Sequence, residues 1–152
     1  MARSAKTSCL IMKIPLIDQF IQLFRTGVPE ATLLRRFENS RELLEQQFFQ
    51  KAAGAGIPRG LRWVRCEWLP TRSLLRERSS RQICLLVGVN ISFEAVEGGD
   101  MEHVAAVSLI RDACAVFQLT QAGWQTSGRA LFNMNPSEAQ EKLAASYEPY
   151  QP

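Results

Sequence analysis

The chain has 152 residues, a formal net charge of +3 and a hydrophobic content of 46%. These values are typical of one globular domain and exclude a largely disordered protein. The sequence contains no run of about 20 apolar residues, which excludes a membrane-spanning helix. The segment after Met1 contains Lys13 and Pro15 and no cleavage signal, so we expect a cytoplasmic protein; an organelle transit peptide is the alternative.

The sequence offers little chemistry for catalysis or metal binding. Four cysteines are scattered without a C-x-x-C spacing, and His103 is the only histidine. Structural zinc sites use closely spaced pairs of ligands, so we expect no metal, no cofactor and reduced thiols. Nucleotide-binding and zincin motifs are absent. Cys114 could act as a nucleophile only beside a base, and the chain has no histidine other than His103. The sequence therefore predicts no catalytic residue.

The first third of the chain is predicted to be helical. Residues 1–12 are interpreted as a flexible tail and residues 13–152 as a single domain. Pro15 is suited to the first position of a helix, and apolar residues then recur at helical spacing until Gly27. This pattern predicts a first amphipathic helix in front of the sheet.

A second helix is predicted to begin at Pro29 and to end in the glycine-rich segment 52–56. Its apolar stripe consists of Leu33, Leu34, Phe37, Leu44 and Phe48. Asn39 and Glu42 have the spacing of a capping box inside this stripe. The pattern is therefore compatible with one helix or with two helices separated by a kink.

After Gly60 the hydrophobic period changes from about 3.6 residues to 2, which indicates strands. Residues 61–69 are predicted as a strand closed by Pro70, and residues 71–80 as a polar loop or a ragged edge. Residues 82–96 give the strongest strand pattern, with one apolar face made of Ile83, Leu85, Val87, Val89, Ile91 and Phe93.

Two further strands and a short helix complete the chain. Glu97-Gly98-Gly99-Asp100 predicts a hairpin turn that leads into a strand over residues 103–119. A second turn at residues 121–123 leads into a strand over residues 124–134. Asn135, followed by Pro136 and Glu138, predicts the start of a final helix.

The sequence therefore predicts an α+β fold, with N-terminal helices packed on a curved antiparallel sheet of about four strands and a short C-terminal helix. Strands of about fifteen residues would span roughly 50 Å if flat, so they must bend, and Gly88 and Gly128 are the expected bending points. This arrangement resembles the cone-shaped domains of the nuclear-transport-factor-2-like (NTF2-like) and Tim44-like groups, and more loosely the cystatin-like sheet. The resemblance lies in element order and strand length, and it assigns no functional residues.

Charge is divided unevenly along the chain. Residues 51–81 contain eight basic and two acidic residues, a net charge of +6, whereas residues 91–152 contain three basic and eight acidic residues, a net charge of −5. The basic segment predicts a surface for an anionic partner, formed by Arg59, Arg62, Arg65, Arg72, Arg76, Arg78 and Arg81. Trp63 and Trp68 lie between these arginines, as on surfaces that stack bases, so a nucleic acid is a further partner, less favoured because the pI near 8.8 is mild. The alternative is a solvated edge strand that the acidic half neutralises internally.

A small-molecule pocket is a second candidate site, lined by Trp63, Arg111 and Trp124. In a continuous strand Arg111 shares the inward face with its apolar neighbours and would bind a carboxylate or phosphate. A bulge at Arg111-Asp112 would instead expose both side chains, and an unpaired buried guanidinium is costly enough to favour that alternative.

The preferred functional hypothesis is a non-enzymatic interaction domain that binds a protein or another anionic partner through the arginine-rich surface. A pocket of lyase, isomerase or hydrolase type is the alternative. Self-association of the basic edge with the acidic hairpin around Glu94, Glu97, Asp100 and Glu102 is a third hypothesis. The sequence itself names no ligand or partner.

Overall fold

A computed structural model describes residues 27–55, 60–104 and 110–152. The α+β class is confirmed. The elements in chain order are α1 (Glu30–Gly54), β1 (Leu61–Glu77), β2 (Ile83–Ala95), β3 (Arg111–Thr120), β4 (Gly123–Gln125), β5 (Ala130–Phe132), α2 (Pro136–Lys142) and β6 (Tyr147–Pro149). The tail and the first helix predicted before Gly27 lie outside the described residues.

Helix α1 is one continuous helix of 25 residues, without the kink that the Asn39 pattern allowed. Its buried residues follow a single stripe, namely Leu33, Phe37, Leu44, Phe48 and Ala52. Because this stripe packs against the sheet along its whole length, tertiary packing overrides the local capping signal at Asn39. Within the described ranges, neither helix is long and apolar enough to cross a membrane.

The described strands form one antiparallel sheet of six, in the order β4-β3-β2-β1-β6, with β5 also paired to β3. The expectation of about four strands is loosely consistent with this sheet, since three of the six strands have only three residues. The predicted last strand is divided into β4 and β5, and β6 was not predicted. Strand β6 has only three residues, one of them a proline, and so short a segment has no periodicity that could predict a strand.

Strand β1 continues through Pro70 to Glu77, so the prediction of a loop after residue 70 is wrong. Its register against β2 shifts between Trp63 and Arg65 and again between Trp68 and Arg72. Pro70 lies inside the second irregularity, where the loss of an N–H does not break a ladder hydrogen bond. Bulges bend strands, which fits the curvature expected from strand length.

Strand β3 begins at Arg111, so the prediction that it begins at His103 is wrong. His103 lies in a turn segment and is exposed. From Arg111 to Gln118 the register against β2 is continuous, with Arg111 opposite Ile91 and Asp112 opposite Asn90. The alternative of a bulge at Arg111-Asp112 is therefore not observed.

Gly128 separates β4 from β5 because the chain approaches helix α1 there. Its φ is +83°, and a Cβ atom at this position would lie 2.5 Å from the backbone nitrogen of Ala52. The Thr126 hydroxyl accepts a hydrogen bond from the Gly128 N–H and donates one to the Val116 carbonyl. The bend predicted at Gly128 thus ends one strand and begins another.

The sheet buries apolar residues on both faces. Helix α1 covers the face that contains Trp63, Leu85, Val87, Val89, Ile91 and Phe117. Part of the opposite face packs against the C-terminal segment through Leu75, Leu86, Cys114, Val116 and Ala139. The predicted cap of the last helix is confirmed, since Asn135 and Glu138 form a reciprocal capping box.

Candidate interaction surface along strand β1

Strand β1 has two unequal edges. One edge pairs with β2 along nearly the whole strand, and the other pairs with β6 at Leu75–Glu77. Across residues 61–73, the second edge has no strand partner in the part of the chain that the structure describes. An edge of this kind presents unpaired backbone donors and acceptors to solvent. The predicted arginine surface lies on and beside this edge.

Two of the predicted arginines are ion-paired with neighbouring elements. Arg62 pairs with Glu94, which lies opposite it on β2. Arg72 pairs with Glu38 of helix α1. Both pairs are exposed, so each stabilises the fold by about 1 kcal/mol or less.

The arginines at the β6 end are also held by residues of the same chain. Arg78 and Arg81 each approach the Glu148 carboxylate at 2.9 Å. The Arg76 guanidinium lies over the ring of Tyr150, 4.6 Å from its centroid. The C-terminal segment therefore binds three arginines of the predicted surface, which sequence spacing could not indicate.

These contacts reduce the net charge of the surface. The described residues 60–82 contain six arginines and two glutamates, a net charge of +4. Glu38, Glu94 and Glu148 lie in ion pairs with them and lower this to +1. Internal neutralisation, the alternative interpretation of the charge split, thus accounts for most of the basic segment. Arg59 lies outside the described residues.

Arg65 and Glu67 differ from Arg62 and Arg72, which are ion-paired, and from Arg76 and Glu77, which contact Tyr150 and Ser80. Both are exposed, and neither forms an ion pair with any residue that the structure describes. They lie between the two register shifts of β1, where its pairing with β2 is regular. The sequence gives no sign of this distinction because it depends on which carboxylates other elements bring to the strand.

A groove of about 450 Å³ lies between helix α1 and this edge. It is lined by Glu42, Glu45, Gln46, Phe49, Gln50, Arg65, Cys66 and Trp68. Arg41 holds Glu45 with an Nε–Oε1 distance of 2.6 Å, and this hydrogen bond raises the pKa of Arg41. The groove combines aromatic walls with charged rims, and sequence analysis missed it because its two sides come from different elements.

The cysteine in the groove is not an activated nucleophile. Burial, with a smaller contribution from Glu45, raises the pKa of the Cys66 thiol to about 12. Burial likewise raises the pKa of Cys84 to about 11 and that of Cys114 to about 12. A thiol attacks as its thiolate, so all three side chains are unreactive near neutral pH.

Arg111 lies in a separate open depression of about 230 Å³, lined with it by Leu61, Phe93, Phe132 and Asn133. Trp63 packs behind this depression, with ring centroids 5.1 Å from Phe93 and 6.1 Å from Phe132. Its indole Nε1 is buried and has no hydrogen-bond partner in the described part of the chain. Two of the three predicted pocket residues therefore meet around one aromatic cluster.

Trp124 does not belong to that cluster. Its Nε1 donates to the Leu33 carbonyl at 3.1 Å, and its ring packs edge-on against Phe37 with centroids 5.9 Å apart. It lies opposite Leu119 near the end of β3, whereas Arg111 begins that strand. Eight residues of strand separate the two positions by roughly 26 Å, so they cannot line one small pocket.

No group of three or more metal-ligating side chains occurs within residues 27–55, 60–104 and 110–152. Comparisons with protein-family models, with curated proteins and with solved structures found no match to the chain. The resemblance to the NTF2-like and Tim44-like groups therefore stays a prediction.

Proposed function

We propose that the chain is an interaction domain that binds an acidic segment of a protein partner along the open edge of β1. The observation that carries this proposal is the edge itself, since residues 61–73 combine unpaired backbone, exposed Arg65 and an adjacent aromatic groove within the described structure. A backbone edge supplies affinity and a neighbouring groove supplies side-chain specificity. The cytoplasmic location expected from the sequence is part of this proposal.

The internal ion pairs are compatible with binding of a partner. Side chains of Arg62 and Glu94 are 71% and 43% exposed, so solvent screens their attraction strongly. An exposed pair contributes about 0.2–1 kcal/mol, and a partner carboxylate can replace the internal one at little cost. Arg65 needs no such exchange because it has no ion-pair partner among the described residues.

Binding to a defined acidic probe tests this function. A fluorescein-labelled polyglutamate peptide is titrated with the full chain and followed by anisotropy at low and high salt. We expect binding that weakens with salt, and the Arg62→Ala/Arg65→Ala variant should bind about fivefold more weakly, at roughly 0.5 kcal/mol per exposed pair. Arg35→Ala removes an exposed charge from helix α1 and serves as the matched control.

Two outcomes contradict the proposal. One is the absence of binding at low salt. The other is equal binding by wild type, the double variant and Arg35→Ala, which would place any attraction in the overall charge rather than on β1.

The Arg111 depression favours a second candidate function, the binding of a small apolar anion. A guanidinium beside Phe93 and Phe132 suits a carboxylate or sulfonate on an aromatic body, and the buried Nε1 of Trp63 is a further donor nearby. Anilinonaphthalene sulfonate is a suitable probe. We expect its fluorescence to rise with the full chain and to fall with Arg111→Ala, whereas Asp112→Asn, at an exposed neighbour, should behave as wild type. Equal fluorescence for Arg111→Ala and wild type would reject this site.

A further inference from the structure

We infer that β1 pairs with β1 of a second copy of this chain, antiparallel and around a two-fold axis at Cys66. This pairing goes beyond the proposed function, because it uses the same open edge of β1 but places a second copy of the chain there instead of an acidic segment. Arg65 would then lie opposite Glu67 of the second copy, and Glu67 opposite its Arg65. The two sheets would join into one across the axis.

The first argument is the distribution of ion pairs. Arg62, Arg72, Arg78 and Arg81 each have a carboxylate partner in their own chain. Arg65 and Glu67 are both exposed on the edge of β1 and have none among the described residues. Their charges are opposite, and a strand that carries both can neutralise them against an antiparallel copy of itself.

The second argument is register. In an antiparallel pair, residues directly opposite each other point to the same face of the sheet. Arg65 and Glu67 are two positions apart, with Cys66 between them, so placing one opposite the other puts Cys66 opposite its own copy. The same surface then serves both chains, and such an isologous contact closes after two copies. The charge pattern thus selects a single register.

The third argument is the extent of regular strand. Register shifts flank the segment from Arg65 to Trp68, and Pro70 lies in the second shift. Bulges and proline are devices that block open-ended edge pairing, so pairing is confined to about four residues. Val64 and Trp68 flank the charged pair, and Val64 is 49% exposed. Such a short junction predicts a weak, concentration-dependent dimer, with a dissociation constant of about micromolar or higher.

Charge reversal tests this register. Sedimentation equilibrium of the full chain should show a monomer–dimer equilibrium. Arg65→Glu and Glu67→Arg should each weaken dimerisation by about tenfold, because two-fold symmetry places two like-charged pairs in the junction. Mixing these two variants should form a heterodimer as stable as the wild-type dimer, since every charged pair is again opposite in sign. The double variant Arg65→Glu/Glu67→Arg should also recover dimerisation, and Arg35→Glu should leave it unchanged.

Several results would overturn the inference. These are a monomer at all concentrations up to the millimolar range, single reversals without effect, or mixed variants that fail to associate. Amide hydrogen exchange tests whether residues of the same chain, instead of a second copy, cover the β1 edge. Slow exchange of the outward-facing amides between residues 65 and 68 in a monomeric sample, independent of concentration, would show that the chain's own residues cover it.

The inference and the proposed function can fail separately. A chain that stays monomeric but binds polyglutamate through Arg65 retains the proposed function and loses the second copy as partner. A chain that dimerises with the expected charge dependence but binds no polyglutamate retains the self-pairing and loses the acidic partner.

Discussion

Substitution of Gly128 by alanine should destabilise the protein strongly. A Cβ atom at this position would lie 2.5 Å from the Ala52 nitrogen and 2.7 Å from the Lys51 carbonyl carbon. These are backbone atoms of helix α1, and they can move away only if the helix shifts. The φ of +83° adds strain. Left-handed backbone costs an L-residue about 1–2 kcal/mol, and overpacking costs about 1–3 kcal/mol more. The expected loss is the sum of the two, about 2–5 kcal/mol.

Two further glycines separate these contributions. Gly123 has a φ of +108°, but among the described residues no atom beyond its chain neighbours lies within 4 Å of the point that its Cβ would occupy, so Gly123→Ala should show the backbone strain alone. Gly54 ends helix α1 without crowding or positive φ, and Gly54→Ala should be neutral or stabilise by up to about 1 kcal/mol. The three variants therefore form a graded series.

Urea denaturation measures the series. With a slope of about 2 kcal/mol per molar urea, Gly128→Ala should lower the midpoint by roughly 1–2.5 M at unchanged slope. The reasoning is refuted if Gly128→Ala costs no more than Gly123→Ala. That result would mean that residue 128 does not approach the backbone of α1.

Three other predictions concern stability. Gly88→Ala should destabilise the protein by about 1–3 kcal/mol, because the new Cβ would collide with the hydroxyl of Thr71. Adding Thr71→Ala should restore most of this loss, which a double-mutant cycle would measure. Asn135→Ala removes the confirmed capping box and should cost about 1 kcal/mol, measured by thermal unfolding; no change would mean that helix α2 does not depend on its cap. Burial, with a smaller contribution from Glu77, raises the pKa of the Cys84 thiol from 9.0 to about 11. The protonated thiol therefore contributes fully to stability below pH 9, and this contribution is lost as pH rises towards 11. Urea titrations should show that the free energy of unfolding falls less steeply with pH in Cys84→Ala than in wild type over this range.

The sequence was sufficient where one local signal agreed with the tertiary environment. The strand around Val87 has an apolar residue at every second position, and the cap at Asn135 is a contact between residues three positions apart. Both were predicted because their physical causes lie within a few residues of chain. Asn39 shows the opposite case. Its capping pattern is genuine as a local preference, but burial along the whole helix outweighs it.

The candidate site was only partly predictable. The arginines of β1 are visible in the sequence, but the carboxylates that pair with them come from helix α1, β2 and the C-terminal segment. The partners are 32 to 70 positions apart in the chain, from Arg62 with Glu94 to Arg78 with Glu148, and no periodicity encodes such separations. Trp124 was assigned to a pocket for a related reason, since its aromatic character does not reveal that it donates to Leu33.

The amino-acid sequence alone specifies helix α1 and the strands through its periodic apolar residues, because side-chain periodicity follows from backbone geometry. It also determined the excess of arginine between residues 59 and 81. Three other features follow from long-range packing: β1 continues through Pro70, Arg111 and Trp124 lie apart, and Arg65 and Glu67 have no ion-pair partner among the described residues. These features depend on strand register and long-range packing, where the free energy of a contact comes from residues far apart in the chain.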